Sequence, residues 1–217
     1  MKNLVPAFLS QADEAKIKAT VAAVEKQTAG EVVPMVVSAS YHYPMAAVIG
    51  GAALALPLAL VLTPMVGGWL WLGHWNLWIF LALLTVLFLL GHMLVNHTPG
   101  LKRFFISEQE FRAEVDEAAL VGFFEEGLYR TRDETGVLIF ISLFEHRVRV
   151  LADRGINQKI DQGCWDDVVA HIVNGIKKRQ AAAAICEAVE MVGGHLATHF
   201  PPRPDDQDEL RDFIIKS

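Results

Sequence analysis

No Asp, Glu, Lys or Arg occurs anywhere between Met45 and Val95. A solvated surface helix needs a charged or polar face, so the absence excludes one here. Two runs fill the stretch, Met45–Met65 and Trp75–Val95, joined by the equally uncharged Val66–His74. About 20 apolar residues at 1.5 Å rise cover roughly 30 Å of bilayer hydrocarbon, so each run is long enough to span a membrane. A buried helical core is the competing reading, but runs of this length without a polar face are rare in soluble cores. A signal peptide fits poorly, because the stretch follows a polar amphipathic segment and holds two spans. The lack of charge inside the spans argues against a transporter, whose ion path would need it.

Other absences narrow the chemistry. The chain carries 19 Lys and Arg against 25 Asp and Glu, a formal net charge of −6. It has no basic block and no interleaving of basic with aromatic residues, which argues against nucleic acid as a partner. It has only 2 cysteines. Cys164 and Cys186 lack a C-x-x-C spacing and a matched His–Asn signature, which argues against a thiol enzyme. They read as free thiols in a reducing compartment, with a disulfide left open. There is no P-loop, no G-x-G-x-x-G, no G-x-S-x-G and no H-E-x-x-H. No internal repeat or low-complexity tract is present.

What is there is a membrane hairpin inside a small polar domain. Gly50, Gly51, Pro57 and Pro64 are tolerated in membrane helices. Trp69, Trp71, Trp75 and Trp78 cluster at the turn as an aromatic belt, and Tyr41, His42, Tyr43, Asn96, His97, Lys102 and Arg103 lie at the other interface. Lys2, Lys16, Lys18 and Lys26 precede the hairpin, Lys102 and Arg103 follow it, and the turn has no Lys or Arg. The positive-inside rule therefore puts both polar parts in the cytoplasm, with two spans in the inner or plasma membrane and only the short turn exported. The small residues Gly50-Gly51-Ala52-Ala53 offer a face for lateral packing against another membrane protein or a second copy of the chain.

The polar parts read as one domain in pieces: residues 1–40, the hairpin at 45–95 (spans 45–65 and 75–95), residues 104–200, and a tail at 201–217. Ser10 before Gln11-Ala12-Asp13 marks a helix start, with Ile17, Val21 and Val24 at helical spacing and Gly30 as the C-cap. Glu31–Ala39 reads as a buried strand, with Pro34 pointing to an edge position or a bulge. Ser107-Glu108-Gln109-Glu110 has the form of a capping box, followed by a stripe of Phe111, Val115, Ala118, Ala119 and Phe123. Val137–Phe144 reads as a central strand, and Glu145-His146 turns it into a third strand, Arg147–Ala152. Helices follow at Trp165–Lys178 and Ala181–His199. After the break at Pro201-Pro202, the tail docks through Leu210, Phe213 and Ile214. The fold class is α/β: a small mixed sheet between helices, three layers, interrupted by the inserted two-helix hairpin. Both ends of the insertion must then emerge close together.

Three segments carry a family resemblance. Glu25-Lys26-Gln27-Thr28-Ala29-Gly30-Glu31-Val32-Val33 is similar to the "E-x-x-T-x-G-E-I" run of the TPM domain family. Asp133-Glu134-Thr135-Gly136-Val137-Leu138-Ile139 is similar to its "x-x-G-V-L-I" run, and Arg147–Ile156 to its strand ending in a glycine turn. The resemblance covers about residues 10–40 and 105–200. The chain departs from the family in its inserted hairpin, where many relatives carry spans at their ends. It also departs in having Gly155 alone where relatives often have two glycines. The resemblance implies either a metal-assisted acid phosphatase or a non-catalytic module that assists assembly, repair or quality control of membrane proteins. It also implies a metal or phosphate site at the glycine turn, with Gly155 as the cofactor-binding position.

The residues offer such a site at the strand ends. In a turn-joined antiparallel pair, the start of one strand lies beside the end of the other, which brings Asp133 near Asp153. Two carboxylates there would hold Ca²⁺ or Mg²⁺, with Glu31 as a further ligand, and the metal would polarise a phosphoryl oxygen. Arg154 would clamp phosphate. Asp133, Asp153 and Arg154 are thus the candidate catalytic residues, and Glu31, Asp133 and Asp153 the candidate metal ligands. The competing readings are a solvated charged rim and, for Glu31, a fold-defining hydrogen bond. His195 and His199 share a helix face but lack a third ligand and suit a helix C-terminus. The expected partners are the bilayer and another membrane protein, with no nucleic acid.

Overall fold

The computed structural model describes residues 4–72, 76–203 and 210–216. Trp75 and the whole Pro204–Glu209 stretch of the tail lie outside the described residues. The elements in chain order are α1 (Val5–Phe8), α2 (Gln11–Glu25), β1 (Glu31–Val37), α3 (Pro44–Trp69), α4 (Leu77–His97), α5 (Pro99–Phe104), α6 (Glu108–Glu125), β2 (Gly136–Ser142), β3 (Arg147–Ala152), α7 (Arg154–Asn157), α8 (Gly163–Lys177), α9 (Ala181–His199) and β4 (Ile214–Lys216). Two compact units result, one of Met1–Tyr41 with Arg112–Ser217 and the other of His42–Phe111.

In the first unit the strands form one mixed sheet in the order β3-β2-β1-β4. β1 runs parallel to both β2 and β4, and β3 is antiparallel to β2. Alternate residues go to opposite faces. Val32, Val36, Val137, Ile139, Ile141 and Val150 meet α2, α8 and α9. Val33, Met35, Leu138, Phe140 and Ile214 meet Val115, Ala119 and Phe123 of α6. Full burial of each such aliphatic side chain is worth about 1.5–3 kcal/mol, which makes the two-sided sheet the main source of stability in this unit. The layering is the three-layer α/β arrangement expected.

Three local expectations need correction. The tail does more than dock: Ile214–Lys216 adds a strand, paired from Met35↔Ile214 to Val37↔Lys216. β1 is therefore not an edge strand. Pro34 is accommodated all the same. The Glu31 N–H donates to the Thr135 carbonyl and the Leu143 N–H to the Val37 carbonyl. Odd residues of β1 thus bond toward β2, and Pro34 faces the β4 side just before that ladder begins, where a missing N–H costs no bond. Gly30 is not a left-handed helix cap. α2 ends at Glu25. Gly30 is instead a close-approach glycine, since a Cβ there would lie 2.9 Å from Leu196 Cδ1. The Ser10 cap is present and reciprocal, Asp13 N–H to Ser10 Oγ and Ser10 N–H to Asp13 Oδ2.

In the second unit α3 and α4 are each long and apolar enough to cross a membrane. They pack antiparallel through small residues. A Cβ on Gly51 would lie 2.9 Å from the His92 backbone nitrogen, and one on Gly91 would lie 3.2 Å from Gly51 Cα. Gly51, Ala55, Ala59, Thr63 and Gly67 are all buried at four-residue spacing, which is the small-xxx-small pattern of close helix pairs. Gly50 is filled by Phe105 and Val95. Of the Gly50-Gly51-Ala52-Ala53 stretch expected to receive a partner, Gly50 and Gly51 are thus packed inside the hairpin and Ala53 is exposed. The base is clamped by Lys102, which is only 4% exposed. Its Nζ donates to the His42 carbonyl at 2.6 Å and reaches Asn96 Oδ1 at 3.5 Å, so both ends of the helix pair meet. Burial lowers the Lys102 pKa.

Candidate functional site

The segments that carry the family resemblance meet at one end of the sheet. Glu31 is opposite Gly136 on β2. Asp153, following β3, donates its N–H to the Gly136 carbonyl at 2.9 Å. Each motif residue here has a bonding role. Glu25 Oε1 accepts the Val32 N–H, and Thr28 Oγ1 donates to the Phe200 carbonyl at 2.7 Å while accepting the Gly30 N–H. Thr135 Oγ1 donates to the Ala29 carbonyl, and its N–H donates to Thr131 Oγ1. Gly136 is required by proximity, since a Cβ there would lie 2.7 Å from the Leu128 carbonyl oxygen. Thr28, Thr131 and Thr135 are all buried, so their hydroxyls satisfy backbone groups that water does not reach.

The candidate residues lie on the rim of this end. The loop before β2 and the turn after β3 touch: a Cβ on Gly155 would lie 2.5 Å from the Asp133 carbonyl oxygen and 2.8 Å from that of Glu134. Gly155 is therefore a packing glycine. Asp133 Oδ2 is held by Arg203 Nη1 at 2.5 Å. Asp153 caps α7, its Oδ1 accepting the Arg154 N–H at 2.7 Å, while its Oδ2 is buried without a hydrogen-bond partner. Arg154 is exposed, and Glu31 is 8% exposed at the start of β1.

As a metal site the donor set is incomplete. Ca²⁺ takes six to eight oxygens and Mg²⁺ a near-octahedral shell. The rim offers Asp153 Oδ2, but Asp133 already faces a guanidinium. Among the described residues no group of three or more His, Cys, Asp or Glu side chains is placed to hold a metal ion. The residues as they stand do not fit either cation.

A second polar cluster, at the opposite end of the sheet, was not legible as a site. Ser40 N–H donates to Glu145 Oε1 at 2.9 Å, Ser40 Oγ donates to Ser142 Oγ at 3.0 Å, and Ser142 Oγ donates to Glu145 Oε2. Carboxyl ends of parallel strands are where α/β sheets usually bind ligands. Here Ser142 and Glu145 are 1% and 3% exposed, so the network ties the loops after β1 and β2 together and presents no open nucleophile. The sequence signal is the Ser142-Leu143-Phe144-Glu145 turn, which closes the carboxylate back on its own strand.

Comparisons with known proteins agree with this fold. The family model described as the TPM domain matches residues 99–195. No curated protein matches the chain. The NMR structure of the BA42 protein from the psychrophilic bacterium Bizionia argentinensis is similar, with a TM-score of 0.59 and 19% identity over 97% of this chain and 96% of that one. At that identity the likeness is one of fold.

Proposed function

We propose that this chain, whose residues 99–195 match the TPM domain model, is a membrane-anchored TPM module that binds another protein and assists assembly, repair or quality control of membrane proteins. One observation supports the choice of binding over chemistry: at the strand ends Asp133 is engaged by Arg203, and one oxygen of Asp153 caps α7. The anchor in this reading is the α3–α4 pair, which spans the bacterial inner membrane with the polar unit in the cytoplasm. Charge supports that side, since Lys16, Lys18, Lys26 and Arg103 flank the pair and its turn carries no Lys or Arg. A single cysteine at Lys18→Cys, in a Cys164→Ser/Cys186→Ser background, is expected to resist a membrane-impermeant thiol reagent in intact cells and react after lysis. Labelling of intact cells would reverse the orientation.

A second reading, an acid phosphatase assisted by Ca²⁺ or Mg²⁺, has one observation in its favour: the buried, unpartnered Asp153 Oδ2. The two readings separate in one assay, phosphatase turnover of the purified protein with and without each cation, beside Asp133→Ala/Asp153→Ala. The binding reading expects no cation-dependent turnover. Turnover that the double variant loses would replace it with the enzyme.

A further inference from the structure

α6 buries Val115, Ala119 and Phe123 against the sheet, and its C-terminal half exposes further apolar residues among the charged ones on its outward side. Leu120, Val121 and Phe124 are 51%, 47% and 53% exposed. Their i, i+1, i+4 spacing puts them on one side of the helix. Tyr129 extends the patch, its ring centroid 5.3 Å from that of Phe124. Contiguous exposed apolar surface that includes aromatic rings marks an interaction site on a soluble unit. Beside Val121 the surface falls into a cleft of about 530 Å³ between α6 and the strands, with the buried Met35 and Phe140 at its base.

Charge selects the occupant. Glu114, Glu117 and Glu125 border the cleft. Lys216 is taken by Glu125 and Glu126 at 2.8 and 2.9 Å, and Arg149 by Asp116 at 3.1 Å. Arg130 stacks on Tyr129 at the far end. An anionic lipid surface would be repelled by these carboxylates. A second copy of the same face would set Glu114 and Glu117 against their own equivalents across a two-fold axis, with Glu125 already met by Lys216. A helix with an apolar side flanked by Lys or Arg meets both the patch and its charge. We propose that this face of α6, centred on Val121 and Phe124, is the docking surface for a basic, amphipathic helical segment of a partner protein. The proposal rests on the partner-binding reading above and gives that partner its chemistry.

The test uses the full chain in nanodiscs of zwitterionic lipid. The probes are a labelled amphipathic helical peptide of Lys and Leu and its counterpart with Glu in place of Lys. The Lys/Leu peptide is expected to bind and the Glu/Leu peptide not. Leu120→Ser/Phe124→Ser is expected to weaken binding about tenfold. Glu114→Gln/Glu117→Gln is expected to weaken it about threefold and flatten its salt dependence. The substituted apolar positions are exposed, and circular dichroism checks that each variant keeps its fold. Equal binding of the two peptides, or affinities within about twofold of the parent in both variants, overturns the proposal. So does a dimer in mass photometry that Leu120→Ser/Phe124→Ser abolishes, which would give the face to a second copy. Binding of anionic vesicles that the same variant abolishes would give it to lipid and overturn the proposal as well. The broader reading fails separately, on turnover that depends on Asp133 and Asp153.

Discussion

In the α/β unit the largest side chains are inside, with Leu138, Ile139, Phe140 and Ile141 sealed between helices. In the helix pair the order is reversed: Gly51, Ala55, Ala59, Thr63 and Gly67 face inward, and Leu58, Val61, Leu89 and Leu94 face out. Each arrangement answers a different surrounding. Burying large apolar groups is favourable when the alternative is water. Where the surroundings are themselves apolar that gain vanishes, and helices associate through close backbone fit, which small residues permit. The two regions place their hydrophobic residues in opposite ways, and the inversion supports the membrane reading more strongly than length and composition do.

The contrast can be broken by substitution. Ile139→Ala is expected to cost the α/β unit about 2–5 kcal/mol, read as a lower urea midpoint, because it leaves a cavity in a two-sided core. Gly51→Leu is expected to cost the helix pair about 1–3 kcal/mol, because its side chain would meet the His92 backbone. Hydrogen exchange should show α3 and α4 amides losing protection while the strand amides keep theirs. A smaller effect tests the joint between β4 and α6. Partial burial pushes Lys216 down, but hydrogen bonds and charge from Glu125 and Glu126 outweigh it and hold the ammonium above the ordinary lysine value of 10.5. The contribution is full below pH 10.5 and is lost as pH rises through the raised value. The parent should therefore lose stability at alkaline pH faster than Lys216→Met. Leu89→Ala, on the outer face of α4, should change helix-pair packing by less than about 0.5 kcal/mol in detergent. A larger loss would mean that this face is covered by protein.

Much of the α/β unit was legible because its signals are local. β3 runs over Arg147–Ala152 and α9 over Ala181–His199, as period and breakers indicate. The meeting of the Asp133 loop with the turn at Gly155 follows from a turn-joined strand pair. What escaped depends on distant partners. β4 is three residues long and is a strand only because β1 offers an open edge, and Arg203 finds Asp133 across a tertiary contact that no local pattern encodes. Gly30 is ambiguous in sequence because a glycine after a helix has two uses, left-handed cap and close approach, and only Leu196 decides between them. In α3 the four-residue recurrence of small residues from Gly51 to Gly67 is present in the sequence. Gly50-Gly51 taken without its later members suggests an outside partner, whereas the whole series points to the inside partner, α4.

The strand order also sets a schedule for the ribosome. β1 leaves the exit tunnel early, but its ladder partners begin at Gly136 and Ile214. At ~5–20 residues per second, the whole α3–α4 pair emerges while β1 still waits for its neighbours. The helix pair is complete, and free to be taken up by insertion machinery, before the sheet can close. A nascent chain stalled once His97 has cleared the exit tunnel, and before β2 has, should therefore hold a formed helix pair and an unpaired β1, whose valines need a chaperone or rapid further synthesis to avoid aggregation.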